Sequence, residues 1–349
     1  MSSSRHTAVI WATPRQVPLA RSVINAVGLE LVAAGSPLRA QSGAVASELE
    51  CPAADDLRAV LAGSDADVVL LLSAGDFGAG GAPEDARAIA AAATRGVRVL
   101  SLEPLPSDAL DLEPGGWLGG TGDPGPAAWV RFIGLPRLTP VFREAAETLA
   151  AFGPVRSVLV EHWSAPQHAS LAARLVGAID LVHWLLAETE SIDAVFVPSG
   201  LAGGPRVSEP ALRELDGDLN AMLRTVDGRS ALIAVSNAAS RWNLNVTLLG
   251  EHGRLRFFDD GFEWLGPDGA KRDDHRGPGR ARGEPAPDHA LAVITNSVSR
   301  ILDERLPDPG PLNVASVLPV AHAAALSART RHAENPAMIR RMMSVQEGL

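Results

Sequence analysis

Asp67 is followed by the run VVLLLS. A continuous apolar stretch of this length predicts a parallel strand buried on both faces, with helices above and below it. The flanking chain fits that reading. Strand-like stretches at 7–10, 29–33, 67–73 and 97–101 alternate with helix-like stretches at 17–27, 54–63 and 83–95. Strands and helices alternating in this order give a parallel sheet with right-handed crossovers.

The first unit reads HTAVIWATPRQVPLARSVINAVGLELVAAGSP, residues 6–37. It has a short strand from Thr7, a helix pattern with Leu19, Val23, Ile24 and Val27 on one face, and a second strand from Leu29. That is the frame of a dinucleotide-binding β-α-β unit. Such a unit needs three glycines in its turn: one for the bend, one for close approach of the pyrophosphate, one for helix packing. The matching positions are Trp11, Thr13 and Gln16, and Pro14 removes a further N–H donor. The acid expected at the ribose position is Ser36. Two readings stay open. The turn is a tight connector, or Thr13, Arg15 and the helix N-terminus still hold an anion.

The stretch LEPGGWLGGTGDPGPAAW, 112–129, is crowded with Gly and Pro and predicts a loop or boundary. We place one domain at 1–120 and a second at 121–349. The second has different patterning: a strand in WVRFIG, a helix ended by Gly153, the strand VRSVLVEHW, a strong helix in LAARLVGAIDLVHWLLAE, then strands at 192–198, 230–237, 243–249 and 254–258. GEHGR between the last two reads as a hairpin turn. This predicts an α+β domain with an open, mostly antiparallel sheet. Residues 271–288 read as a charged loop, and helices follow at 288–304 and 311–330.

Composition removes several classes. Of 349 residues, 46% are hydrophobic and 21% charged, which describes a globular chain. The net charge of -10 argues against nucleic acid and anionic membrane as partners. Cys51 is the only cysteine, so no disulfide framework or cysteine-rich metal site is expected. No apolar run reaches the ~18 residues of a membrane span, and the start MSSSRHTAV lacks a signal-peptide core, so a cytoplasmic location is expected.

Six segments in order, over nearly the whole chain, resemble the Gfo/Idh/MocA family of glucose-fructose oxidoreductase and inositol dehydrogenase. They are DADVVLLLSAG, ATRGVRVLSLEPL, GPVRSVLVE, IDLVHWLLAE, RWNLNVTLLGEHGRLRFFDDGFEWLGPDG and AALSARTRHAENP. The resemblance implies a Rossmann domain followed by an open-sheet α/β domain that often makes the oligomer interface. It implies hydride transfer between a nicotinamide and a sugar or polyol carbon. The family's Glu-Lys-Pro segment reads Leu102, Glu103, Pro104 here, with Glu103 at the lysine position; Lys271, the only lysine, lies in the late loop. The family's Asp, His and Asp on the central helix fall on Ala173, Gly177 and Asp180, and only Asp180 matches. His183 follows three residues later.

Glu161, His162 and His168 precede the central helix and are expected near the cleft, as edge residues or as relocated acid/base groups; no metal site is expected. The pattern of losses leads us to expect a non-catalytic binding, regulatory or partner subunit with no cofactor. The alternative is an active NAD- or NADP-dependent oxidoreductase on CH–OH groups with relocated residues. A small-molecule ligand is allowed by either reading. The aromatics Trp242, Phe257, Phe258, Phe262 and Trp264 flank the sheet and either close the end of the core or belong to an interface; the sheet is expected to form a homo-oligomer or a hetero-oligomer with an active relative.

Overall fold

The computed structural model describes residues 6–80, 83–112, 116–119, 125–200, 212–277 and 288–345. The first layer system contains β1 (Thr7–Trp11), α1 (Val17–Val27), β2 (Glu30–Gly35), α2 (Arg39–Glu48), β3 (Ala53–Ala54), α3 (Leu57–Gly63), β4 (Val68–Leu71), α4 (Pro83–Thr94), β5 (Arg98–Ser101) and β6 (Val130–Phe132). The strands form one parallel sheet in the order β3-β2-β1-β4-β5-β6. β4 is the strand announced by VVLLLS, and all four of its residues are fully buried. Val69 and Leu71 pack into the core on one face, and Val68 and Leu70 into the core on the other. α1 occupies the predicted span, ends at Gly28 in the left-handed conformation (φ 78°), and buries Leu19 and Val23. Asp56 caps α3 through the N–H groups of Arg58 and Ala59.

The second part contains α5 (Pro140–Glu144), α6 (Ala146–Phe152), β7 (Val155–Trp163), α7 (Leu171–Leu185), β8 (Thr189–Pro198), β9 (Gly217–Thr225), β10 (Ser230–Ser236), β11 (Asn243–Gly250), β12 (Gly253–Phe258), β13 (Gly261–Leu265), β14 (Lys271–Arg276), α8 (His289–Leu302), α9 (Val314–Thr330) and α10 (Pro336–Val345). Its eight strands run in the order β14-β13-β12-β11-β7-β10-β9-β8, antiparallel except for β7 with β10. α7 and α9 cover one face. β6 continues the first sheet past residue 120, and α8 returns to that domain, where Ile294, Val298 and Leu302 join the core around α1.

Several expectations are corrected. The first six residues of the 271–288 loop form β14, paired with β13 from Lys271↔Leu265 to Arg276↔Gly261. All six are exposed, and a charged sequence is what a sheet edge tolerates. The remainder, 278–287, lies outside the described residues. The single helix expected before Gly153 is a 3-10 turn (Pro136–Leu138) followed by α5 and α6. The aromatic group does not flank an open face: Trp242, Phe257 and Phe262 are buried. Phe257 stacks on Phe142 of α5 at 4.2 Å, so these rings close the core under the helices. Leu244, Val246 and Leu248 point into that core, as their alternation requires. The opposite face is open and carries exposed Leu159, Trp163, Val195, Met222 and Leu232.

Candidate functional site

The turn after β1 is closed on itself. The Gln16 side chain is 5% exposed. Its Oε1 accepts from Thr13 N–H (3.0 Å) and Thr13 Oγ1 (3.1 Å), and its Nε2 donates to the Leu72 carbonyl (2.8 Å). The Gln16 and Ala12 N–H groups donate to the carbonyls of Thr13 and Gly35. A carboxamide oxygen therefore sits on the turn's donors where a pyrophosphate oxygen would have to sit. Trp11 is 4% exposed, and its ring lies so close to Gly35 that a Cβ there would stand 2.0 Å from it. Ser36 is 1% exposed and its hydroxyl is sealed from solvent. Arg15 is exposed. A nicotinamide dinucleotide does not fit this turn as it stands.

At the end of β5, Glu103 reaches the other domain. Its Oε1 accepts from Ser170 N–H (2.9 Å) and its Oε2 from the Ser170 hydroxyl. Ser170 is the N-cap of α7 and also accepts from Ala173 N–H. The residue at the lysine position is thus a carboxylate on a helix N-terminus, where the partial positive charge of the helix favours an anion. Burial still pushes the Glu103 carboxyl up, against those two hydrogen bonds and the Arg213 and Arg174 charges.

The three α7 positions are enclosed by packing. A Cβ at Gly177 would lie 3.1 Å from Pro136 Cδ and 3.2 Å from the Gly134 carbonyl, so the 134–136 segment fills the histidine's space. Ala173 is 2% exposed. Asp180 is clamped by Arg137 (Nε–Oδ2 2.6 Å), and burial raises its carboxyl despite that partner. His183 bridges Thr189 Oγ1 and Ser316 Oγ, both at 3.0 Å, and burial holds its pKa down to about 4. It is a core histidine.

Glu161 and His162 do not share a cleft edge, because neighbours on β7 point to opposite faces. Glu161 accepts from Asn245 on the open face (2.6 Å). His162 is fully buried, 3.2 Å from Arg174 Nη1, with its pKa well below normal through burial and the adjacent charge. His168 is half-buried, its pKa is lowered by burial, and its Nδ1 is sealed without a partner. No group of three His, Cys, Asp or Glu among the described residues could hold a metal.

Sequence reasoning missed Arg174. It is 2% exposed, donates to Ser164 Oγ (2.9 Å), lies 4.6 Å over the Trp242 ring, and leaves Nη2 without a partner. Burial lowers its pKa to about 9, against the pull of Glu103. An arginine inside LAARLVGAIDLV, an otherwise apolar helix, was the available signal. Arg213 was missed too. With Ser73, Gly75, Glu103, Ser107 and Ser170 it lines a cleft of about 270 Å³ at the carboxyl ends of β4 and β5. That is where open α/β sheets bind ligands.

This two-domain fold is shared with solved dehydrogenases and oxidoreductases. It is similar to a myo-inositol dehydrogenase from Corynebacterium glutamicum, at 15% identity and TM-score 0.62, covering 95% of this chain and 98% of that one. It is also similar to levoglucosan dehydrogenase in complex with NADH and levoglucosan, at 12% identity and TM-score 0.63, covering 95% and 99%. A third likeness is to an oxidoreductase from Agrobacterium radiobacter in complex with NAD+, L-tartaric acid and magnesium, at 12% and 0.65, covering 96% and 100%. No family model and no curated protein matches the sequence. At these identities the fold is what is shared.

Proposed function

We propose that the chain is a non-catalytic protein on an oxidoreductase fold, serving as a binding, regulatory or partner subunit without a nicotinamide cofactor. The observation that carries this is the Gln16 carboxamide seated on the Thr13 donors. Trp11 on Gly35, Glu103 on the α7 N-terminus and Pro136 against Gly177 support it, since each fills a place the chemistry needs. The second reading is an active NAD- or NADP-dependent oxidoreductase on a sugar or polyol. It is favoured by the NADH and NAD+ complexes of the neighbouring structures.

Titration of NADH with the protein, followed by nicotinamide fluorescence, separates the two. We expect no saturable change below millimolar NADH. A Kd in the low micromolar range, about -8 kcal/mol of binding, would defeat the proposal.

For partners, the proposal is a second copy or an active relative on the open sheet face, with neither nucleic acid nor membrane involved. Exposed Glu190, Asp193 and Asp218 lie on β8 and β9, and exposed Arg254 and Arg256 on β12. A two-fold axis near β7 and β10 would set those acids against those arginines. No helix among the described residues is long and apolar enough to cross a membrane. A cytoplasmic location is part of the same proposal.

A further inference from the structure

The loops that follow β4 and β5 are bonded to each other. The Ser107 N–H and hydroxyl both donate to the Gly78 carbonyl, at 3.0 and 3.2 Å. Gly78 has φ 77°, and a Cβ there would stand 2.7 Å from Leu105 Cδ2, so the two loops approach as closely as a glycine permits. The Gly78 N–H is held in turn by Asp85 of α4 (2.7 Å), whose other oxygen pairs with Arg58 of α3. The first loop is thereby fastened to the helices of its own domain, and the second loop to the first.

Among the described residues, Ser170, Arg213 and His322 tie this joined pair to the second domain. The Glu103 carboxylate accepts from the Ser170 N–H and hydroxyl at the start of α7. Arg213, in the 3-10 turn Leu212–Glu214, donates to the Phe77 carbonyl at 2.9 Å. His322 of α9 lies 2.8 Å from Asp108 through its Nδ1. Two contacts between two bodies leave an axis through both about which they can turn, and a third on another element is needed to remove it. These ties come from three separate elements of the second domain. The first is also electrostatic: Glu103 is a counter-charge to Arg174, which is 2% exposed on α7, so withdrawing Glu103 would strand a buried cation.

Loops past the carboxyl ends of parallel strands are usually the mobile part of such a sheet. We infer that here the loops after β4 and β5 form one interdomain lock, which fixes the two domains in a single relative orientation without any ligand and has Glu103 as its central tie. The lock is made within the chain and stands whether or not a nicotinamide binds. It has a signature that unrelated contacts lack. Because Gly78 and Ser107 join the loops, breaking a tie to one loop should release both.

Hydrogen exchange on the full chain, read by mass spectrometry, tests this with Arg213→Met, His322→Ala and Glu103→Gln. Peptides covering 73–80 and 102–112 report the lock, and those covering β1 and β10 report the two cores. We expect both loops to exchange slowly in the wild type. Each variant should speed exchange about tenfold or more in both loops and leave β1 and β10 unchanged. His322→Ala is the sharpest case, because it loses a bond to the second loop and should nevertheless release 73–80. Should Glu103→Gln not fold, Ser170→Ala breaks the same tie from the α7 side. Fast exchange of both loops in the wild type, wild-type rates in the variants, or loosening confined to the loop that lost its bond would each overturn the lock. A rise in β1 or β10 exchange alongside the loops in every variant would mean unfolding rather than unlocking, and would overturn it too.

Discussion

Rebuilding the three catalytic positions, as Glu103→Lys, Ala173→Asp and Gly177→His, is expected to unfold the protein rather than restore hydride transfer. Glu103→Lys removes two charge-assisted bonds to Ser170 and puts a cation at a helix N-terminus, near Arg174. That costs about 2–4 kcal/mol. Gly177→His drives an imidazole into Pro136 and the Gly134 carbonyl, already 3.1–3.2 Å from a mere Cβ. Overpacking of this kind costs about 1–3 kcal/mol. Ala173→Asp buries a carboxylate at a position 2% exposed, for roughly another 1–3 kcal/mol. Glu103 and Ala173 share Ser170 as a partner, so the effects are not independent. Even so, the total of about 4–10 kcal/mol rivals the whole stability of a typical domain. Urea titration of the three single variants and the triple variant, read by circular dichroism and tryptophan fluorescence, measures it. A triple variant with an unchanged midpoint, or one that reduces NAD with myo-inositol, would refute the reasoning.

Gln16→Ala should lower stability by about 1–3 kcal/mol, because the Thr13 N–H and the Leu72 carbonyl lose their partner, without bringing NADH binding into the micromolar range while Trp11 covers Gly35; urea midpoints and NADH fluorescence check both parts. His183, whose pKa falls from 6.5 to about 4 on folding, contributes stability that is present above pH 6.5 and lost as pH falls towards 4. The loss is about 3 kcal/mol at most, and it should vanish from the pH–stability profile of His183→Asn. Trp242→Ala and Phe262→Ala should each cost about 3–5 kcal/mol and leave the oligomeric state unchanged, whereas Leu232→Glu on the open face should dissociate any oligomer; light scattering distinguishes the two outcomes.

The first domain was legible because its strands are buried on both faces and its helices are amphipathic. VVLLLS and the Leu19–Val23 stripe admit few alternatives. α2 was not legible, since RAQSGAVASE has almost no apolar periodicity and is held by its place beside β2. β14 was missed because KRDDHR carries only charge, and its strand state comes from pairing with β13 rather than from its side chains. Alternation left the aromatic cluster open between core and interface, because Trp242 and Phe262 stand at strand ends; packing decides for the core, Trp242 against His162 and Arg174, and Phe262 beside Phe257 and Phe142. The candidate site divided similarly. Which groups are missing could be read from Trp11, Thr13, Gln16 and Glu103. That Arg174 and Arg213 gather around Glu103 depends on two segments distant in sequence meeting at the carboxyl ends of β4 and β5.

Three of the absent groups of the family pattern have not left holes. A glycine turn that merely lost its glycines would leave unpaired N–H donors, yet Thr13 N–H is satisfied by Gln16. A helix that merely lost its histidine would leave a void at Gly177, yet Pro136 packs against it. A missing lysine would leave the α7 N-terminus uncapped from the first domain, yet Glu103 binds Ser170 there. Buried polar groups and cavities are both costly, so a chain that abandons a cofactor gains by filling its seat with its own atoms. The filling is incomplete: the Ser36 hydroxyl, Arg174 Nη2 and Arg213 Nη1 stay buried without a partner, and each lowers the stability gained.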